Sequence, residues 1–159
     1  MAGLLALAAL ASPLQGFAQV ACNTSVAPLN FGVYDTLAAT DNRVNASISL
    51  ACQLTNPNAA QRIAYTVSLG PGSGSYAQRT MRSGGPDVLG YNVYLQSVSP
   101  GSVLGDGTGG TVTASGSITI NKNSGLSPST IPLIGVIPAL QPVGAGVYND
   151  TLTVTVTWN

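Results

Sequence analysis

The stretch TLTVTVTW, residues 151–158, alternates polar and apolar side chains without interruption. Successive side chains of a β-strand point to opposite faces, so a period of two collects the apolar residues on one face. That face consists of Leu152, Val154, Val156 and Trp158. We predict a strand with one buried face, which needs a second layer of structure to cover it.

Segments of strand-like composition recur along the rest of the chain. They span residues 28–34, 46–52, 62–69, 89–96, 111–120, 129–137 and 144–159. Glycine-rich stretches such as GPGSGS at 70–75 separate them, and none has the apolar period of a helix. Pro132 lacks an amide proton, so we expect its segment to be an edge strand or to start there. The roughly seven segments predict one all-β domain in which two antiparallel sheets face each other.

Residues 1–18 have the features of a secretory signal peptide. The apolar run LLALAALA (4–11) is too short to span a bilayer, and GFA (16–18) resembles the small-residue end of a cleavage site. The Lys or Arg that usually precedes the apolar run is absent, which leaves room for a start upstream of Met1. We predict export, a mature domain over residues 19–159, and no membrane span in the mature chain.

The sequence contains two cysteines, Cys22 and Cys52. An even pair in an exported chain predicts one disulfide. A metal site or a reactive thiol is the alternative, but the chain has no histidine and no second cysteine close to either one. We therefore predict a Cys22–Cys52 disulfide.

Side chains that carry catalysis are scarce. Five Lys and Arg balance five Asp, and there is no His. Without His there is no Ser–His or Cys–His relay and no imidazole for a metal, and the glycine-rich GDGTGG (105–110) lacks the lysine of a phosphate-binding loop. No basic cluster favours nucleic acid. We predict a protein that is not an enzyme and uses no cofactor, metal or nucleic acid.

Three segments together resemble the spore coat protein U domain, which the Csu-type (archaic) chaperone–usher pilins share. They are PLNFGVYD (28–35), LGYNVYLQ (89–96) and IPLIGVIPALQPVGAGVYNDTLTVTVTW (131–158), and the resemblance runs from Cys22 to Asn159. It implies a pilin with an immunoglobulin-like β-sandwich that lacks its final strand. A periplasmic chaperone would first fill the open groove with one of its strands. The N-terminal extension of the next pilin would replace that strand at the outer-membrane usher, a process called donor-strand complementation.

The resemblance also implies which residues border the groove. Leu152, Val154, Val156 and Trp158 of the last strand would form one wall. Leu29 and Phe31 of the first strand would lie near the other wall, and the two cysteines match the family's disulfide between its first two strands.

The short run before Cys22 bears on the position of such a subunit. Shaft pilins carry a donor extension there, whereas cleavage after Ala18 would leave only QVA. We therefore expect a tip or adhesive subunit, with contact made by loops at one end of the sandwich: Gly70–Tyr76, Val103–Gly110 and Ile137–Val143. The apolar Ile137, Ala139 and Leu140 would suit adhesion to apolar surfaces, but Ile137 and Leu140 are at least as compatible with a place in the core.

Our first hypothesis is a structural pilus (fimbrial) subunit, exported through the periplasm to the cell surface for adhesion and biofilm formation. The alternative is a self-contained secreted β-sandwich, either a coat protein or a carbohydrate-binding module. The two differ in whether the chain itself supplies a complete set of strands.

Overall fold

The computed structural model describes residues 20–55, 59–99, 101–122 and 125–159. These residues form eight β-strands. The strands are β1 (Val20–Val26), β2 (Asn42–Leu54), β3 (Gln61–Leu69), β4 (Arg79–Arg82), β5 (Val88–Leu95), β6 (Ala114–Ile120), β7 (Ser127–Ile137) and β8 (Val154–Trp158). No helix in the described ranges is both long and apolar enough to cross a membrane. The predicted signal peptide lies outside these residues.

The strands form two sheets. One has five strands in the order β1-β2-β7-β5-β4, and the other has three in the order β6-β3-β8. Within each sheet, all neighbouring strands are antiparallel. The predicted all-β sandwich of two antiparallel sheets is confirmed.

The core between the sheets follows the alternation of the sequence. In β3, the residues Ile63, Tyr65, Val67 and Leu69 are buried, and the side chains between them face outward. The inward residues of β2, β5 and β7 meet them from the larger sheet. Burial of these apolar surfaces is the main stabilising contribution to a sandwich of this kind.

The predicted first strand at residues 28–34 is wrong. The first strand is β1, Val20–Val26, and residues 27–35 have no regular structure. Pairing with β2 continues as far as the Ala27 amide, which donates to the Ser47 carbonyl, and then stops at Pro28, which has no amide proton. Gly32, with φ of 66°, turns the chain further from an extended path. We call residues 28–36 the strap.

The expectation for Pro132 also needs correction. Its strand, β7, lies in the middle of the larger sheet, between β2 and β5, and begins five residues earlier at Ser127. However, β5 pairs with β7 only as far as Leu133, and the Pro132 carbonyl accepts a long bond of 3.4 Å from the Gln96 amide. The nitrogen and the carbonyl of one strand residue point to the same side of the strand. The Pro132 nitrogen, which carries no proton, therefore faces the end of β5, as its carbonyl does. Proline is tolerated there because no ladder bond is lost.

The predicted disulfide is present and joins β1 to β2. Cys22 and Cys52 lie directly opposite each other in the register of the two strands. Cys52 is fully buried, as its place in the alternation of β2 predicts. The bond therefore ties the edge strand β1 to the core of the larger sheet.

Candidate functional site

Strand β8 forms an edge of the smaller sheet. It pairs with β3 from Val154 opposite Leu69 to Trp158 opposite Tyr65, and no strand in the described part of the chain pairs with its other side. We call residues 149–153, which precede β8, its lead-in. Two hydrogen bonds of 3.0 Å between the backbones of Arg82 and Asn149 hold this segment in place. The far side of β8 thus presents backbone donors and acceptors that an extended chain is able to pair with.

An apolar cavity of about 260 Å³ lies beside this edge, between the two sheets. Its lining comes from both sheets and from the strap. The lining residues are Val26, Ala27, Pro28, Leu29, Phe31, Ile48, Leu69, Met81, Tyr91, Leu133, Tyr148, Asn149, Asp150, Leu152 and Val154. A gap of this size in the interior leaves the surrounding side chains without packing partners.

A wider cleft of about 1060 Å³ continues from the cavity. The strap forms one wall and residues 143–149 form the other, with Leu89 and Ile137 among the buried residues between them. The two spaces share lining residues, among them Leu29, Phe31 and Tyr148. We call the cavity and the cleft together the trough.

Side-chain packing fixes the strap wall of the trough. Leu29 and Phe31 lie over Gly135 of β7, so closely that a Cβ atom there would come within 2.8 Å of each side chain. The Phe31 ring meets Tyr91 edge to face, with 5.9 Å between the ring centroids. The Asn42 amide donates to the carbonyls of Phe31, at 3.0 Å, and Val33, at 3.3 Å. These contacts, rather than a strand ladder, hold the strap in place.

One carboxylate, Asp150, lies in the lining of the apolar cavity. Its Oδ1 accepts from the amide and the hydroxyl of Ser73, at 3.0 and 2.8 Å, and from the Thr151 amide at 2.9 Å. Its Oδ2 accepts from the Tyr91 hydroxyl at 2.7 Å. Burial, together with the bond to Asp150, raises the pKa of Tyr91 well above its usual range. Tyr91 therefore remains a neutral donor.

Arg79, at the start of β4, is fully buried. Its guanidinium donates to the carbonyls of Gly70, at 2.9 and 3.0 Å, and Leu104, at 2.7 Å, and to the Asn92 side chain. Burial lowers the pKa of Arg79, and the charge of Asp150 partly opposes that effect. Arg79 thereby ties the loop after β3 to the loop after β5.

The structure brings four of the six predicted groove residues to one cavity. Leu29, Phe31, Leu152 and Val154 line it together. Val156 packs against the core farther along β8, and Trp158, 43% exposed, lies at the end of the strand; neither lines the trough. The strand itself begins at Val154, three residues after the uninterrupted alternation starts at Thr151 and ten after the start of the predicted segment 144–159.

The three predicted contact loops are held by side-chain contacts at neighbouring positions of β4 and β5. Gly70–Tyr76 and Val103–Gly110 meet at Arg79. The loop at Ile137–Val143 contacts β5 at Gly90, next to the residue that lies opposite Arg79, and the Gln141 side chain pairs with the Gly90 backbone in two bonds of 2.8 Å. Ile137 is buried in the core, whereas Leu140 is 60% exposed.

Sequence reasoning missed the polar side of the site. Asp150 and Tyr91 are 59 residues apart, and nothing in either segment indicates that they meet. In the alternation of β5, Tyr91 shares one face with Val93 and Leu95. Across the described ranges, no group of three or more His, Cys, Asp or Glu is arranged to hold a metal. What the trough offers is an apolar surface and unpaired strand backbone.

The protein is therefore an all-β sandwich of the immunoglobulin-like type, in which the open edge strand β8 lies beside the trough. The model of the Spore Coat Protein U domain family matches residues 9–155. The chain belongs to this family. The match begins within the segment predicted as the signal peptide.

Among solved structures, a similar fold occurs in the CsuC–CsuE chaperone–tip adhesion subunit pre-assembly complex, from the archaic chaperone–usher Csu pili of Acinetobacter baumannii. One chain of that crystal structure is 24% identical in sequence, with a TM-score of 0.57. The match covers 87% of the present chain and 40% of that longer chain. No curated protein matches the sequence.

Proposed function

We propose that this protein is a structural subunit of a chaperone–usher pilus, and that it accepts a β-strand from another protein in the trough beside β8. The observation that carries this proposal is the apolar cavity next to the unpaired edge of β8. A strand inserted there would pair its backbone with β8 and place alternate side chains into the cavity. The role is one of assembly and needs no catalytic group.

The two defects of the isolated chain support this mechanism because a single event repairs both. Unpaired backbone groups at an edge strand favour association with another chain. Uncovered apolar side chains, such as Leu152 and Val154, gain about 25 cal/mol for each Å² that an inserted strand removes from water. Binding by strand addition thus contributes backbone hydrogen bonds and apolar burial together.

The comparisons support the choice of partner. The similar structure is described as a complex of a chaperone with a tip adhesion subunit before assembly. By analogy, the first strand to enter the trough would come from a periplasmic chaperone, and the second from another pilin at the outer-membrane usher. The protein would then reach the cell surface as part of a pilus, serving adhesion and biofilm formation.

A place at the tip remains a prediction. It depends on cleavage after Ala18, because a longer mature N-terminus would provide a donor strand. N-terminal sequencing of the exported protein measures this directly. About fifteen additional residues before Cys22 would be enough to cross a sheet as a strand, and would contradict the tip position.

The test of the main proposal is the stability of residues 19–159 alone and with a synthetic strand. The probe is an alternating Val–Thr peptide of about a dozen residues, long enough to run beside β8 and its lead-in. We expect a clear rise in the midpoint of unfolding with peptide concentration, since a ligand that binds only the folded state stabilises it. A highly stable monomer that does not respond to the peptide would instead favour the self-contained coat protein or carbohydrate-binding module.

A further inference from the structure

The charged groups that line the trough are all of one sign. Asp150 lies in the lining of the cavity and Asp35 in that of the cleft, and neither lining includes a Lys or Arg. A carboxylate beside a space enclosed by Leu29, Leu133 and Val154 will lose water when a strand covers it. The occupant of the cavity therefore meets a negative charge at a fixed place.

The position of Asp150 is fixed by its donors. Two come from Ser73, one from the Thr151 backbone and one from the Tyr91 hydroxyl, all within 3.0 Å. Four donors satisfy a carboxylate that acts only as an acceptor, as the ionised form does. These partners belong to the loop after β3, to β5 and to the lead-in of β8, so the charge is held by three separate parts of the fold.

The nearby cation does not face the incoming strand. Arg79 acts on Asp150 electrostatically, but its donors go to carbonyls and to Asn92, and it lines neither part of the trough. Tyr91 is neutral and already donates to Asp150. No positive side chain of this protein therefore lines the trough beside Asp150.

We propose that Asp150 makes the trough selective for the charge of the strand that it accepts. This inference rests on the proposed function and names a property of the partner. At the position facing Asp150, the strand carries a side chain with an apolar stem and a donor tip, of the Lys, Arg or Tyr kind. A carboxylate at that position is rejected, because the incoming charge would lose water next to Asp150 with no cation in the lining to pair with it.

The test is a substitution scan of the alternating Val–Thr peptide against the wild-type protein. Each Val is replaced in turn by Lys and by Glu, and the dissociation constant of every peptide is measured. At one position we expect the Lys peptide to bind at least about tenfold more tightly than the Glu peptide. Elsewhere in the apolar cavity both substitutions should weaken binding to a similar extent.

Two variants assign the effect to this residue. In Asp150→Asn, the ratio between Glu and Lys peptides at that position should fall to nearly one. In Asp106→Asn, which removes an exposed carboxylate that lines neither part of the trough, the ratio should persist. If Asp150→Asn does not fold, the wild-type scan still tests the charge selectivity of the trough, because it requires no variant.

The possible failures are distinguishable. If no Val–Thr peptide binds, the proposed function is wrong and the inference falls with it. If the unsubstituted peptide binds but Lys and Glu are equivalent at every position, the strand-accepting trough stands and the charge selectivity is refuted. A ratio that survives Asp150→Asn would likewise overturn the role of this carboxylate.

Discussion

Gly135 sets how closely the strap packs on β7. A Cβ atom at this position would lie 2.8 Å from Leu29 and from Phe31. We predict that Gly135→Ala displaces both side chains and lowers the free energy of unfolding by about 1–3 kcal/mol, as overpacking does. Chemical denaturation measures this effect. It should also weaken binding of the Val–Thr peptide, because Leu29 and Phe31 line the cavity.

The matched control is Gly85→Ala. A Cβ atom there would meet nothing closer than a Ser83 hydroxyl oxygen at 3.8 Å, so we expect both stability and binding to stay near wild type. Equal effects of the two substitutions would mean that chain flexibility, rather than contact with the strap, explains the result.

Tyr91 gives the fold a dependence on alkaline pH. Its pKa is raised in the folded state, so above about pH 10 the unfolded chain loses a proton that the folded chain keeps. The free energy of unfolding should therefore be level below that pH and fall above it, by less than about 1.4 kcal/mol per pH unit. Denaturation at a series of pH values measures the slope, and Tyr91→Phe should reduce it. An unchanged slope in that variant would assign the effect to other groups.

The contacts among the polar residues of the site are the part of the structure that the sequence does not predict. The face of β5 on which Tyr91 lies follows from the alternation of the strand, but its partner Asp150 and the burial of Arg79 depend on contacts between distant segments. An isolated Arg or Asp in a sequence is ordinarily a solvated surface charge. Tertiary structure alone determines that Arg79 meets the carbonyls of two loops.

At the scale of single elements, the proposed function assigns strand acceptance to β8, whose two faces should respond differently to charge. Val154→Asp places a carboxylate in the cavity, where an inserted strand would cover it without a partner. We predict that it weakens peptide binding by more than about tenfold. Thr155→Asp adds the same charge on the exposed face of the same strand and should bind nearly as wild type.

Calorimetric titration of both variants makes the comparison, and circular dichroism checks that each is folded. Val154 is also half-buried against the core, so the first variant should be the less stable of the two. If a folded Val154→Asp protein binds the peptide as tightly as Thr155→Asp does, the strand does not enter beside β8.

The strands could be predicted from the sequence where alternation was long. β2, β3 and β8 follow it closely, since a face of buried residues fixes the register. β1 was missed because VACNTSV has little apolar alternation; its strand state comes from pairing with β2 and from the disulfide. The strap was predicted as a strand because Leu29, Phe31 and Val33 alternate. In the structure, Leu29 and Phe31 pack inward over Gly135 and Val33 is exposed, but the segment forms no strand ladder.

Across the described part of the molecule, three edge strands are uncharged, and two of them, β1 and β8, contribute residues to the lining of the cavity. β1, β6 and β8 each end a sheet and contain no Lys, Arg, Asp or Glu, whereas the β4 edge carries Arg79 and Arg82. Charge is a common means by which natural sheets keep their edges apart. With a net charge of zero over 159 residues, general electrostatic repulsion is also weak.

The isolated domain should therefore self-associate in a concentration-dependent way, mainly through β8, because Leu152 and Val154 add apolar burial to backbone pairing at that edge. Sedimentation velocity over a range of protein concentrations measures the association. Saturating Val–Thr peptide should return the protein to a monomer by occupying the edge, while added salt should change little because so few charges exist to be screened. Association that persists with the peptide bound would point to β6, whose residues line neither the cavity nor the cleft. It would separate a general property of uncharged sheet edges from the specific acceptance of a strand.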